Sequence, residues 1–403
     1  MTRFFKSITA APLLAAALAV PAAADDIDFR VRGYVEPELR VFTDSANVSG
    51  QERWNSSVAA QVTFETFWDY SDEWIVVEPF ARWDQNDGNR SHFDLREAKY
   101  ARVDGNWEFR IGMDKVFWGV TEAVHLVDII NQTDFVENID GEEKLGQPMV
   151  MVSSIWDFGT VTGYLLPYFR ERTFASMSGR PSFDIPVDET QTRYESGAEE
   201  HHLDFALRYS NTLGDWDVGL AYFQGTNRNP VLTPGLNAKG EPVLIPYYVQ
   251  TKRVSTDIQA TKGAWLYKFE GFFQDQLDEG NFQATGGIEY TFYGIFETAN
   301  DLGLVAEYVW DDRGANNQNP FANDVFTGLR WTANDVSSTA ILAGTTVDLD
   351  TQALGLTLEA ERRFGADYFV SLEARFFEDI PTSDPLYSYE NDDFLQLRIA
   401  RYF

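Results

Sequence analysis

The sequence predicts an all-β fold, a transmembrane antiparallel β-barrel of about 18 strands. Three observations predict it. Runs of alternating apolar and polar residues recur with turn residues between them. The connections between runs are short and long by turns, and the chain ends on an alternating segment closed by an aromatic residue.

The alternation is plain at both ends of the chain. Near the start Val31, Gly33, Val35, Leu39 and Val41 oppose Arg30, Arg32, Glu36, Glu38 and Arg40. In LGLTLEAERR, Leu354, Leu356, Leu358 and Ala360 oppose Gly355, Thr357, Glu359 and Glu361. In YFVSLEARFF, Tyr368, Val370, Leu372, Ala374 and Phe376 oppose Ser371, Glu373 and Arg375. A soluble sandwich alternates too, so the connections decide. Short turns fall at 70–73, 104–106, 156–159, 211–215, 261–264 and 364–367. Longer, acidic connections fall at 44–55, 85–92, 114–148, 169–199, 226–250, 313–322 and 379–392. Short periplasmic turns and long extracellular loops mark a membrane barrel. The count is eighteen, or sixteen if the segments at 149–155 and 333–353 are not strands. An even count puts both termini at the short-turn rim.

The ends and the composition agree. Arg3 and Lys6 precede an apolar run from Ala10 to Val20, and Pro21-Ala22-Ala23-Ala24 precedes Asp25. That is the pattern of a secretory signal peptide cleaved after Ala24, which leaves 25–403 as one barrel domain. The chain has no cysteine, which excludes disulfide-stapled modules. A formal charge of -31 excludes nucleic acid as a partner. Yet there are 31 Phe, 18 Tyr and 11 Trp, far too many rings for a solvated acidic chain. Trp68, Tyr70, Trp74, Trp107, Trp156, Trp216 and Trp265 lie near short turns, and Tyr222, Tyr308 and Trp310 near the opposite ends. Two aromatic girdles are expected of such a barrel.

The last ten residues, FLQLRIARYF, place Leu395, Leu397, Ile399 and Phe403 on one face. This resembles the carboxy-terminal recognition signal of bacterial outer-membrane barrels, and it departs from it at Arg401. The resemblance implies the cell outer membrane as location and the barrel assembly machinery as a partner.

One stretch breaks the alternation: RIGMDKVFWGVTEAVHLVDIINQTDFVENIDGEEKLGQPM, from Arg110 to Met149. Thr121 is placed to cap a short helix, with Glu122 complementing its dipole. Val120, Val124, Val127 and Ile130 recur near helical spacing and form one apolar face. The acids are Glu122, Asp128, Asp134, Glu137, Asp140, Glu142 and Glu143. By count this is the third long loop. In ordinal position, length, a helical turn and acidity it resembles the third loop of the general porins of Gram-negative bacteria, which folds into the lumen and narrows it. The resemblance implies the same constricting role for these acids. An apolar face suits a loop held against a wall better than one standing in water. Opposite it, the register puts Arg30, Arg32 and Arg40 on the first strand, Arg82 on the third, and Arg363, Arg375 and Arg398 on the last three, all facing inward.

Rival functions find little support. Of four histidines, His125 lies three residues before Asp128, a common spacing, and no serine stands in a nucleophile motif. No enzyme is expected. The EEHH run at 199–202 would send neighbouring histidines to opposite faces of a strand. No cofactor is expected; acid-rich loops such as DQND at 84–87 offer weak surface contacts to divalent cations and no EF-hand spacing. Alternation that begins at Phe29 leaves no room for a plug domain. The expectation is therefore a plug-free outer-membrane channel for passive diffusion of small polar solutes or ions. The alternative is an outer-membrane barrel with a non-channel role, structural or adhesive, and after these a surface hydrolase. Membrane lipid and lipopolysaccharide would surround it. The solute, the preferred sign of charge, and the choice between monomer and homotrimer stay open.

Overall fold

A computed structural model describes residues 27–68, 72–314 and 319–403. The expected leader at 1–24 and the girdle residue Tyr70 lie outside the described residues. The wall begins with β1 (Asp28–Phe42), β2 (Trp54–Trp68), β3 (Glu73–Asp84) and β4 (His92–Asp104). It continues through β5 (Trp107–Asp114), β6 (Gln147–Trp156) and β7 (Gly159–Leu166). A two-residue strand, β8 (Arg193–Tyr194), stands off the wall, and β9 (Asp204–Leu213) and β10 (Trp216–Thr226) rejoin it. A second departure is the hairpin of β11 (Val231–Leu236) and β12 (Pro242–Tyr248), which pairs with β8 to form a small three-stranded sheet. The wall resumes with β13 (Gln250–Lys262), β14 (Trp265–Gln276), β15 (Glu279–Phe292), β16 (Asp301–Asp311) and β17 (Asn323–Thr332). It ends with β18 (Ala340–Asp348), β19 (Leu354–Phe364), β20 (Tyr368–Glu378) and β21 (Phe394–Tyr402). The main sheet has 18 strands. β1 pairs antiparallel with both β2 and β21, through Glu38↔Arg398 and Phe42↔Phe394 on the latter side, so the sheet closes on itself.

Closure answers a solvation problem. A sheet bathed in lipid must pair every backbone N–H and C=O within the protein, and a barrel has no free edge. The burial pattern is accordingly inverted from that of a soluble protein. On β1 the apolar Val35 is 44% exposed while the charged Arg40 is 2% exposed. Leu395, Leu397 and Ile399 of β21 and the terminal Phe403 are likewise exposed. Apolar side chains meet hydrocarbon, and charged ones line the interior. Exposed rings gather at both rims: Trp107, Trp156, Trp216 and Trp265 beside short turns, Trp83, Tyr308 and Trp310 at the other end. Trp74 departs from the expected girdle, since it alternates in step with the buried Val76, Glu78 and Arg82 on the lumen side.

Two details of the connections bear on the expectation, one in agreement and one not. The segments at 149–155 and 333–353 both contribute wall strands, β6 and β18, which decides for eighteen. At the long-loop rim, however, β14 and β15 are joined by Leu277 and Asp278 alone, both left-handed with φ 53° and 60°. That primed geometry matches the twist of the paired strands, and it forms here without glycine. No α-helix occurs among the described residues.

Candidate pore constriction

The third loop, 115–146, leaves β5 and folds into the barrel. At its root the Asn131 amide donates to the carbonyls of Asp114 and Leu145, both at 2.9 Å, and the Leu145 N–H donates to Gln132 at 2.8 Å. From there Trp118, Val127, Ile129 and Ile130 pack on inward residues of β6, β7, β9 and β10, namely Met149, Met151, Tyr164, Leu166, Ala206, Ala221 and Phe223. Burying such a cluster drives docking of the loop at a few tens of cal/mol per Å². Two of the four residues expected to hold it, Val127 and Ile130, are fully buried; Val120 and Val124 are only half-buried.

The expected helix is absent, and the backbone donors of the tip turn to the far wall. Glu270 of β14 accepts from the N–H groups of Val120 (2.6 Å), Thr121 (3.0 Å) and Val127 (3.2 Å), and from the Thr121 hydroxyl (2.7 Å). Glu307 of β16 accepts from the N–H groups of Glu122 (2.9 Å) and Ala123 (2.8 Å). A helix capped at Thr121 would leave its first N–H groups without intrahelical partners and would turn only Val127 N–H to its own carbonyl. Charge-assisted bonds to two carboxylates satisfy them better. Thr121, expected to cap a helix, instead donates its hydroxyl to Val124 as well, closing a turn. Six β-branched residues from Val120 to Ile130 make the helix a weak competitor.

The loop then returns across the lumen, and its acids meet cations. Glu122 pairs with Arg330 of β17 and lies 3.6 Å from Lys268. Asp128 meets Lys144 of the loop itself at 3.1 Å. Asp134 meets Arg96 at 2.6 Å, and Glu137 meets Arg82 at 2.8 Å. Asp140 lies 3.4 Å from Arg375 of β20. Glu142 bonds His125 at 2.8 Å, which ties the return limb to the tip. Glu143 has no ion pair among the described residues, and burial together with Glu137 and Asp140 raises its pKa. Burial works to lower the pKa of His125, but its bond to Glu142 and the nearby Glu270 carboxylate raise it to about 10. Burial and the neighbouring Glu373 raise Asp140 to about 6. Asp134 is held at about 2: burial opposes this, and the His92 bond and the Arg96 charge prevail.

Of the basic residues expected to face the loop, Arg82 and Arg375 do so directly. Arg398 lies 3.9 Å from Glu373, a wall acid that also accepts from Asn138 of the loop. Arg40 is buried against Gln396 and the Arg180 carbonyl. Arg30 pairs with Asp28 and Arg32 with Glu65, and Arg363 lies over Phe369; no ion pair joins these three to the loop among the described residues. The partners that sequence reasoning missed are Arg96, Lys268, Arg330, Glu270 and Glu307. Their inward parity was readable in the strands, but which loop atom each would meet was not.

The fourth long connection, 167–203, roofs the third. Thr173 donates its hydroxyl to Asp134 at 2.8 Å, Ser176 N–H donates to Asp87 at 3.1 Å, and buried Arg180 pairs with Asp392 at 2.7 Å. His92, Asp134 and Glu137 offer ligand atoms within 4.8 Å of one another. Both acids already hold guanidinium groups, so a metal ion would have to displace Arg96 and Arg82. The arrangement suits an ion-paired strut better than a metal centre.

No protein-family profile matches the chain, and no curated protein sequence does. Solved structures similar in overall path include a mutant of Rh. blastica porin, at 12% identity and TM-score 0.45, covering 93% of this chain and 100% of that one. A triple mutant of Rhodopseudomonas blastica porin is similar at 12% identity and TM-score 0.44, with the same coverage. Likeness at that level carries neither fold nor function from one chain to the other.

Proposed function

We propose that the chain is an outer-membrane channel for passive diffusion of small polar solutes or ions, narrowed by its third loop. One observation carries the reading: an in-lumen loop reaches the opposite wall at β14, β16 and β17 and returns to β3, β4 and β20, inside a barrel that is apolar outside and charged within. A structural barrel has little need of so many inward-facing charges. Around the narrowed lumen two acids are more open than the arginines beside them, with the side chains of Glu142 54% and Glu359 47% exposed against 35% for Arg330 and 19% for Arg375. We therefore assign a preference for cations and zwitterions, reinforced by the acidic chain as a whole. Lipid and lipopolysaccharide around the apolar belt, the assembly machinery at Leu395, Leu397, Ile399 and Phe403, and a monomeric or trimeric state belong to the same proposal.

A second reading, a closed structural barrel, draws on the fourth connection, whose buried Arg180–Asp392 pair fixes it over the mouth. Single-channel current in a planar bilayer under a salt gradient separates the two. Steady steps whose reversal potential favours the cation support the channel. A folded barrel that gives no steps favours the closed reading.

A further inference from the structure

We propose that Glu270 and Glu307 are the positioning residues of the constriction, a titratable latch that holds the tip of the third loop against the far wall. The inference rests on the channel reading for its consequence, though not for its structure. Seven donor contacts converge on two carboxylates: four on Glu270, and three on Glu307, where both oxygens accept from Glu122 N–H and one from Ala123 N–H. Both residues are essentially buried, at 0% and 2% exposure. A buried carboxylate is normally answered by a cation. Here most of the answer is loop backbone, so these acids position the tip and leave solute contact to Glu122, Glu142 and Glu359. The side chains of Val120 and Ala123 could be exchanged without breaking the latch. The wall acids could not.

The charged groups around the latch come from several elements. His125 of the loop stands 4.0 Å from Glu270, and Asp257 of β13 is its register neighbour. Lys268 of β14 stands 3.7 Å from Glu307 and 4.0 Å from Glu289 of β15, and Arg330 of β17 stands 3.7 Å from Glu289. Glu122 of the loop tip shares Lys268 and Arg330. The latch is complete while both carboxylates are ionised, and acid that protonates them replaces acceptors with donors facing N–H groups. Glu270→Gln and Glu307→Gln make the same change at neutral pH, because each amide turns one accepting oxygen into a donor.

Two measurements test this, both on the whole chain. The chain lacks cysteine, so Ala123→Cys gives the tip a single thiol. We expect the thiol to react with a charged methanethiosulfonate about tenfold faster in the Glu270→Gln/Glu307→Gln background, the loss of charged hydrogen bonds being of that order. In bilayers the double variant should flicker between current levels at neutral pH, as the parent does only in acid, and Glu307→Asp should recover part of the steady current. Folding of each variant is checked by heat-modifiable migration, and Glu307→Gln alone serves if the double variant does not fold. Equal thiol reactivity with an unchanged current would overturn the latch. Faster labelling in a protein that passes no current keeps the latch and removes the channel. A conducting parent with equal labelling removes the latch and keeps the channel.

Discussion

The two limbs of the third loop are held by different physics. The outbound limb and tip, 115–130, rest on an apolar cluster and on backbone donors to Glu270 and Glu307. The return limb, 134–143, is held by its own side chains: Asp134 on Arg96, Glu137 on Arg82, Asp140 on Arg375. The first is a docking of main chain and grease, indifferent to most side chains at the tip. The second is a set of ion pairs, each open to pH and to deletion of one partner. The difference assigns them separate tasks. On the proposed function, the tip limb would fix where the lumen narrows, and the return limb would set what charge it shows.

The largest effect should come from the tip limb's apolar anchor. Trp118 is nearly buried, meets Tyr164 edge-on at 5.7 Å, and carries the Arg208 guanidinium 4.9 Å from its ring. Trp118→Ala removes that anchor and should cost about 3–5 kcal/mol of loop docking. Proteolysis within the loop and hydrogen exchange at 120–127 should both accelerate while the barrel keeps its heat-modifiable migration. If protection at 120–127 is unchanged, the cluster does not hold the limb.

Next comes a buried pair of the return limb. Arg82 lies between Glu137 of the loop and Glu38 of β1, at 2.8 and 3.3 Å, and donates to Ser57 at 2.6 Å. Arg82→Met strands buried anions, and breaking such a pair from one side costs about 3 kcal/mol or more. Glu38 keeps Arg90 at 2.6 Å, so the loss should fall on Glu137 and the loop. Hydrogen exchange should then rise at 134–143 and stay unchanged at 120–127. Equal deprotection of both limbs would deny that they are held independently.

The pH response sharpens the same contrast. Asp140 titrates near 6, above its ordinary value, so its ionised form is disfavoured in the fold and the docked loop gains stability as pH falls from about 7 towards 4. Asp134 titrates near 2, below its ordinary value, so its contribution is present above about 4 and is lost only as pH falls through 2. The return limb should therefore tighten in mild acid before it fails in strong acid. Asp140→Asn should abolish the change in cation preference near pH 6, read from the reversal potential. A midpoint that survives the substitution belongs to another group.

How much of this was legible beforehand follows from which distances a pattern encodes. Period-two alternation in LGLTLEAERR and YFVSLEARFF reports a local fact, which face a residue takes, and a closed wall is many such facts repeated. The 120–130 stretch shows the limit. Val120, Val124, Val127 and Ile130 at helical spacing fit a helix with one greasy face, and equally an extended limb whose partners are a wall and two carboxylates. Sequence spacing cannot distinguish them, because the deciding residues, Glu270 and Glu307, lie far along the chain. The turn at Leu277–Asp278 escaped notice for the opposite reason: it is local, but it lacks the glycine or asparagine by which such turns are recognised.

The smallest effect should come from an exposed bond that joins the two limbs at the tip. His125 of the tip meets Glu142 of the return limb at 2.8 Å, with Phe117 edge-on to its imidazole at 4.8 Å. Glu142 is more than half exposed, so solvent screens the pair, and Glu142→Gln should change loop stability by less than about 1 kcal/mol. Its pH window is wide. The raised His125 pKa keeps the pair's contribution present in neutral solution and loses it only as pH climbs through about 10; the lowered Glu142 pKa loses it only in acid. Glu142→Gln removes the most open acid of the constriction, so cation preference should fall in the reversal potential while hydrogen exchange in both limbs stays as it was. If exchange rises in both limbs together, the bond is a structural clasp and the two limbs form a single unit; if only selectivity moves, the limbs are held separately and the charge at Glu142 serves the solute.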